Sequence, residues 1–168
     1  MIDTYKVYEN GGKIEVHQLV DTVASDFDNV FACCDFFAQQ GYKTLITPSF
    51  LTDTIGNPIY EEIYRTLKGT PYWGKCPDFN VNGVWYEHEG YDLKKDLSDP
   101  EKRADTFSLM MRRGIKQSDR IIVEDCYVGR FFAKRNIYNR IHFEHQIINE
   151  VYIRTEFGLE LLYKKRED

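Results

Sequence analysis

The sequence predicts an α+β fold: a single domain, residues 1–168, with a mostly antiparallel mixed sheet and helices packed on it. Three observations lead there. Turn signals at Asn10-Gly11-Gly12 and Asn82-Gly83, each between short runs rich in Val, Ile, Tyr and Trp, mark β-hairpins. Segments with apolar residues every three or four positions separate them, as amphipathic helices require. The run Arg120-Ile121-Ile122-Val123-Glu124 is the least ambiguous strand in the sequence. A chain of 168 residues is long enough to close one core.

The elements follow in order. Tyr5–Glu9 and Lys13–His17 form the first hairpin. Ser25 or Asp26 caps a helix reaching about Gln40, with Phe27, Val30, Phe31, Cys34, Phe37 and Ala38 on its buried face, and Gly41 ends it. Thr44–Thr47 is a short strand stopped by Pro48, and Ile59–Leu67 is a second helix closed by Gly69. The hairpin around Asn82-Gly83 comes next, then a polar loop from Gly90 to Asp99. Pro100 suits the first turn of a helix running to about Gln117. After the strand 120–124, a helix from about Gly129 to Ile141 leads to a final antiparallel pair, Ile147–Thr155 and Leu159–Lys164, turned at Phe157-Gly158.

Several function classes find no support. No apolar run approaches the roughly 18–20 residues of a membrane span, and Met1–Tyr5 lacks the basic-then-apolar profile of a signal peptide. The expected compartment is the cytoplasm, with no membrane partner. Cys33, Cys34, Cys76 and Cys126 follow no zinc spacing and read as small buried hydrophobes. There is no phosphate-binding glycine loop and no nucleophile elbow. Net charge is −5, divided unevenly: residues 1–100 hold 8 basic and 16 acidic side chains, residues 101–168 hold 14 and 11. Overall acidity opposes indiscriminate nucleic-acid binding, while the C-terminal part retains enough cations for a local basic groove.

The candidate chemistry centres on Asp78, Glu87 and Glu89. Alternation along a strand points Glu87 and Glu89 to one face and His88 to the other. Carboxylates crowded near a hairpin repel unless a cation or shared protons relieve them. A metal-dependent nuclease needs hard oxygen ligands at about 2 Å, which Asp78 and Glu87 would supply to Mg²⁺. Their spacing resembles the Pro-Asp…(Asp/Glu)-x-Lys pattern of restriction-endonuclease-like enzymes, with Glu89 in the lysine's place. Gln117, with Ser118 and Arg120, lies where the helix ending near residue 117 hands over to a strand, placed to hold a phosphate or a water, or serving only as a polar helix end.

A wider resemblance covers roughly residues 5–165. Lys75-Cys76-Pro77-Asp78-Phe79, Tyr86-Glu87-His88-Glu89, Gly114-Ile115-Lys116-Gln117-Ser118-Asp119-Arg120-Ile121-Ile122 and the basic stretch Arg135–Ile141 together resemble one nuclease-like family. It comprises the C-terminal toxin domains of contact-dependent inhibition proteins and their phage and conjugative-element relatives in Bacteroidetes, grouped with the barnase/colicin/RelE-like ribonuclease fold. The resemblance implies a mobile-element protein that cleaves, or once cleaved, RNA, with an immunity or antitoxin protein as partner and Asp78, Glu87, Glu89 and Gln117 as catalytic residues. RNA is the expected nucleic acid ahead of DNA. The family's usual Glu-x-Lys is Glu87-x-Glu89 here, which removes a positive charge from the site.

Three readings stay open on the residues. A barnase-like enzyme needs no cofactor and works with an acid, a base and cations, for which His142, His145, Arg135, Arg140 and Arg154 are available. A restriction-like DNase would hold Mg²⁺ through Asp78 and Glu87. A lapsed scaffold would bind protein or nucleic acid without cutting. Arg120, Arg135, Arg140 and Arg154, with Arg130 and Lys134, are the candidate phosphate contacts, or else a solvated helix face and its surroundings. Tyr72, Trp73, Trp85, Tyr86 and Tyr91 either stack on bases or pack the core. His17 and His88 carry no stronger case than a buried or surface imidazole.

Overall fold

The computed structural model describes residues 1–48 and 56–167. The chain forms two compact units, Met1–Tyr86 and Glu87–Asp168. The fold class is α+β as expected; among the described residues each unit pairs its strands both antiparallel and parallel. No described helix is long and apolar enough to cross a membrane.

The first unit contains β1 (Ile2–Val7), β2 (Lys13–His17), α1 (Phe27–Gln39), β3 (Lys43–Ile46), α2 (Pro58–Ile63) with a 3₁₀ turn at Arg65–Leu67, and β4 (Phe79–Val81). It also takes the first three residues of β5 (Val84–Glu89). β1 and β2 form a hairpin, β2 and β3 run parallel on either side of the α1 crossover, and β3, β4 and β5 continue antiparallel. Apolar residues from both layers fill the space between α1 and this sheet. Val30, Cys33, Cys34, Phe37 and Ala38 of α1 are buried together with Ile14, Val16, Ile46, Phe79 and Val81. Tyr86 stacks on Phe79 at 5.5 Å between centroids and meets Phe37 at 5.2 Å.

β1 lies earlier than expected, because Tyr8 and Glu9 enter the turn: the Tyr8 amide donates to Gly12 O at 2.7 Å and the Gly11 amide to Tyr8 O at 3.0 Å. Asp26 stands at the N-cap of α1, but its side chain makes no capping bond. Phe27 and Phe31 are only half-buried; their rings meet Tyr5 of β1 at 6.5 and 6.3 Å. The Asn82-Gly83 turn has φ of +48° and +92°, the left-handed conformation that a two-residue hairpin needs.

The second unit contains the end of β5, then α3 (Pro100–Gly114), β6 (Arg120–Glu124), α4 (Arg130–His142), β7 (Glu150–Thr155) and β8 (Gly158–Lys164). β5, β6 and β7 are parallel, joined by α3 and α4; β8 returns antiparallel to β7. Asp99 caps α3 by accepting from the Lys102 amide, and Pro100 opens it. α3 stops at Gly114, earlier than expected, and residues 115–117 wind into a turn in which the Gln117 amide donates to Gly114 O at 2.9 Å. β7 likewise starts at Glu150, paired with Arg120, because the Asn149 amide bonds to Asp119 O at 2.7 Å. Phe107, Met110, Met111, Ile121, Val123, Ala133, Ile137, Val151 and Ile153 make the core. Alternation therefore gives Ile121, Val123, Val151 and Ile153 to the helix-covered face of the strands, and Arg120, Ile122, Glu124, Glu150, Tyr152 and Arg154 to the opposite face.

Candidate functional site

In the first unit, Asp78 is 7 % exposed and immediately precedes β4. Its amide donates to Tyr86 O at 3.1 Å, and its carbonyl accepts from the Thr47 amide at 3.0 Å and hydroxyl at 3.2 Å. It lines a cavity of about 30 Å³ with Thr47, Ile46 and the start of α1, room for one water molecule. The aromatic residues near this hairpin pack as core. Trp73 and Trp85 lie against Tyr60 and Tyr64, and Trp85 Nε1 donates to Thr66 Oγ1 at 2.8 Å. His17 is buried, and its Nδ1 accepts from the Leu19 amide at 3.1 Å. None of the four cysteines is in a disulfide, and all four are buried.

In the second unit, Glu87 and Glu89 pair with Ile121 and Val123, so both side chains take the helix-covered face. Glu87 is buried and Glu89 half-buried. α3 comes so close there that a Cβ on Gly114 would lie 2.8 Å from Ile121 Cγ2 and 3.3 Å from Glu89 Cγ. Gln117 sits half-buried in the turn between α3 and β6. Among the described residues, no group of three or more His, Cys, Asp or Glu is arranged as a metal site.

The opposite face of β5 carries a tighter cluster. His88, buried, places Nε2 at 2.7 Å from Glu124 Oε2. Arg154 donates twice to the same carboxylate, Nε to Oε2 and Nη2 to Oε1, both at 2.6 Å. Register produces this meeting. Glu124 and Arg154 are direct partners at the ends of β6 and β7, and His88 sits on β5 one step before the Glu89–Val123 pair. Burial alone would push the Glu124 carboxyl up, but hydrogen bonds and charge from His88 and Arg154 outweigh it and hold the group below its ordinary value.

These residues stand at the carboxyl edge of three parallel strands, the usual position for ligand clefts in such sheets. An open cleft of about 590 Å³ lies there, lined by Tyr91, Glu124, Asp125, Tyr127, Arg130, Arg154, Thr155, Glu156, Phe157 and Glu160. Arg130, the first residue of α4, donates Nε to Glu160 Oε2 at 2.8 Å and Nη1 to Val128 O at 2.9 Å. Tyr91 OH donates to Asp125 O at 2.7 Å. Tyr127 has φ of +62°, a conformation costing a non-glycine residue on the order of 1 kcal/mol, and is held by its amide's bond to Asp125 Oδ1 at 2.8 Å. Its ring and that of Phe157 are exposed at the mouth.

The Glu124 carboxylate predicts a pH effect. A carboxyl whose folded value is depressed adds stability that is fully present above its ordinary value of 4.5 and is lost as pH falls through the folded value. Urea unfolding of the wild type is therefore expected to weaken below about pH 4.5 more steeply than that of Glu124→Gln, as read from parallel titrations.

Of the six expected phosphate contacts, four are engaged within the protein, Arg130 with Glu160 among them. Arg120 Nε donates to Glu150 Oε2 at 2.6 Å, and its Nη1 lies 3.3 Å from Asp119. Arg154 holds Glu124. Arg140 is buried and donates to Asn136 Oδ1 at 2.9 Å and to Ser108 O and Oγ, both at 3.0 Å. Arg135 is exposed, as are His142 and His145.

Sequence reasoning separated His88 from its flanking glutamates but not its partner, which depends on the parallel pairing of β5 and β6. No family model, curated protein or solved structure matches this chain.

Proposed function

We propose that this chain is a nuclease-like protein that cleaves RNA phosphodiesters by acid–base chemistry, with the reacting phosphate in the cleft at the carboxyl edge of β5–β7. One observation carries the reading: an ionised carboxylate, Glu124, is fixed by a guanidinium and an imidazole beside an open cleft. In this scheme Glu124 takes the proton of the RNA 2′-hydroxyl, and the freed oxygen attacks phosphorus. O5′ then leaves, protonated by water in the open cleft, and Glu124 returns its proton to solvent. Arg154 shares its charge between Glu124 and the developing phosphorane, whose extra negative charge draws it more strongly than the ground-state phosphate does. His88, buried behind Glu124, is a positioning residue.

The test is incubation of total RNA, and of the same sequences as DNA, with chelator or with Mg²⁺. RNA cut in chelator to 2′,3′-cyclic phosphate ends, with DNA spared, is the expected result. Cutting that requires Mg²⁺ and disappears in Glu87→Ala would move the chemistry to the carboxylates on the other face of β5. Mg²⁺ needs only one or two carboxylates, completed by water and phosphate.

A second reading has its own observation. The cleft is lined by four carboxylates, Glu124, Asp125, Glu156 and Glu160, against two guanidiniums, Arg130 and Arg154. That balance suits a lapsed scaffold that docks a basic protein partner. Absence of cutting in every condition, together with salt-sensitive binding of polylysine, would favour it.

A further inference from the structure

We infer that the outer face of α4 is a track for single-stranded RNA. This rests on the RNA reading above and names the form of the nucleic acid and the residues that grip it.

The composition of α4 is the first observation. Its 13 residues include no Asp or Glu, in a chain of net charge −5; Lys134, Arg135 and His142 are exposed along it, while Arg130 pairs with Glu160 and Arg140 is buried. The second is where its aromatic residues point. Ala133, Ile137 and Arg140 take the buried side, whereas Phe131 is 79 % exposed and Tyr138 is 53 % exposed. A helix that only covered a core would keep such rings inward. Phe131, Arg135, Tyr138 and His142 follow one another at steps of four, three and four residues, which makes a single stripe. At 1.5 Å per residue it is about 16 Å long.

The stripe alternates the Phe131 and Tyr138 rings with the Arg135 guanidinium and the His142 imidazole. Tyr138 lies 4.1 Å from the His142 ring, and Phe143, just past the helix, packs edge-on to Tyr138 at 6.3 Å. Beside it runs an open groove of about 520 Å³ lined by Ser108, Arg135, Asn136, Asn139, Arg140, Phe143 and Glu144, whose amides and hydroxyl can meet base edges. A ligand that satisfies both features carries negative charge at intervals and presents flat π faces between them. Single-stranded RNA does both, because its bases are free to stack on side chains. A duplex hides its bases, and an acidic peptide would use the cations and leave the rings unused.

The probe is a fluorescein-labelled 2′-O-methyl oligouridine, which cannot be cleaved, read by fluorescence anisotropy. Binding by the wild type is expected. Tyr138→Ala and Phe131→Ala should each weaken it about tenfold, the worth of one stacked base. Arg135→Gln should weaken it and flatten the salt dependence by about one charge. All three positions are exposed, and circular dichroism checks that the variants fold. Unchanged affinity in both aromatic variants would overturn the proposal. So would equal displacement by polyglutamate, which would assign the face to an acidic protein. A chain that binds the probe but never cuts RNA keeps the track and loses the nuclease reading. A chain that cuts RNA while both Tyr138→Ala and Phe131→Ala bind the probe normally keeps the nuclease reading and loses the track.

Discussion

Glu124→Gln is expected to lower the rate of RNA cleavage by about 10²–10⁴-fold, the range that a positioned acid–base group contributes. Glutamine keeps the size and position of the side chain but cannot accept a proton at neutral pH. Its amide also faces donors: Arg154 Nε and Nη2 and the His88 ring all point at this group. One side of the new amide therefore opposes an N–H with an N–H, and the guanidinium loses its ionic partner. Removing one member of a buried pair costs about 3–5 kcal/mol. Glu124 and Arg154 retain 16 % and 23 % of their side-chain exposure, so water recovers part of that loss and about 2 kcal/mol is the figure expected here.

Catalytic and structural roles are separated by companion variants. Arg154→Lys keeps the charge but loses the two-pronged grip. It should slow cleavage while leaving a pH–rate profile still governed by the Glu124 carboxyl. His88→Gln should affect stability and the position of that profile more than substrate affinity, since His88 is buried behind the carboxylate. If Glu124→Gln cuts RNA at the wild-type rate and Glu87→Gln does not, the chemistry belongs to the helix-covered face of β5, and the assignment made here is wrong.

Much of this arrangement could be read from local patterns, and the part that could not is set by pairing. Asn82-Gly83 fixed the hairpin, and the alternation of Glu87, His88 and Glu89 fixed which side chains share a face. Arg120–Glu124 was legible as a strand to the residue. The helix-end positions were less secure because capping competes with turn formation: α3 stops at Gly114, where the backbone must pass close to Ile121 and Glu89. The partners of His88 were not legible at all. Glu124 lies 36 positions along the chain and Arg154 another 30, and only the parallel order β5–β6–β7 brings them together. The same holds for the arginines. Arg120, Arg140 and Arg154 look like free cations in sequence, and each is tied to a partner that long-range pairing or helix packing supplies.

Gly12→Ala is expected to destabilise the first unit strongly, and the reason is space. The hairpin turn between β1 and β2 docks on the end of α1, where Asn10 Nδ2 donates to Gln39 O at 2.9 Å and Asn10 Oδ1 accepts from the Gly12 amide at 3.0 Å. A Cβ on Gly12 would lie 1.7 Å from the Ala38 carbonyl oxygen and 2.7 Å from its carbon. Those atoms are backbone inside a helix, so no rotamer change relieves the overlap. The turn must lift off α1 or the helix end must unwind. Overpacking of side chains costs about 1–3 kcal/mol, and a collision with fixed backbone belongs at or beyond the top of that range. At a few degrees per kcal/mol for a chain of this size, the melting temperature should fall by roughly 10 °C. Gly11→Ala is the control. Gly11 has φ of +91° and nothing within 4 Å of the added Cβ, so it carries only the conformational penalty of about 1 kcal/mol. Thermal melts of the two variants side by side decide the matter. A larger loss in Gly12→Ala means that close packing of the turn on α1 holds this corner together. Equal losses would mean that the turn is not pressed against Ala38 in solution.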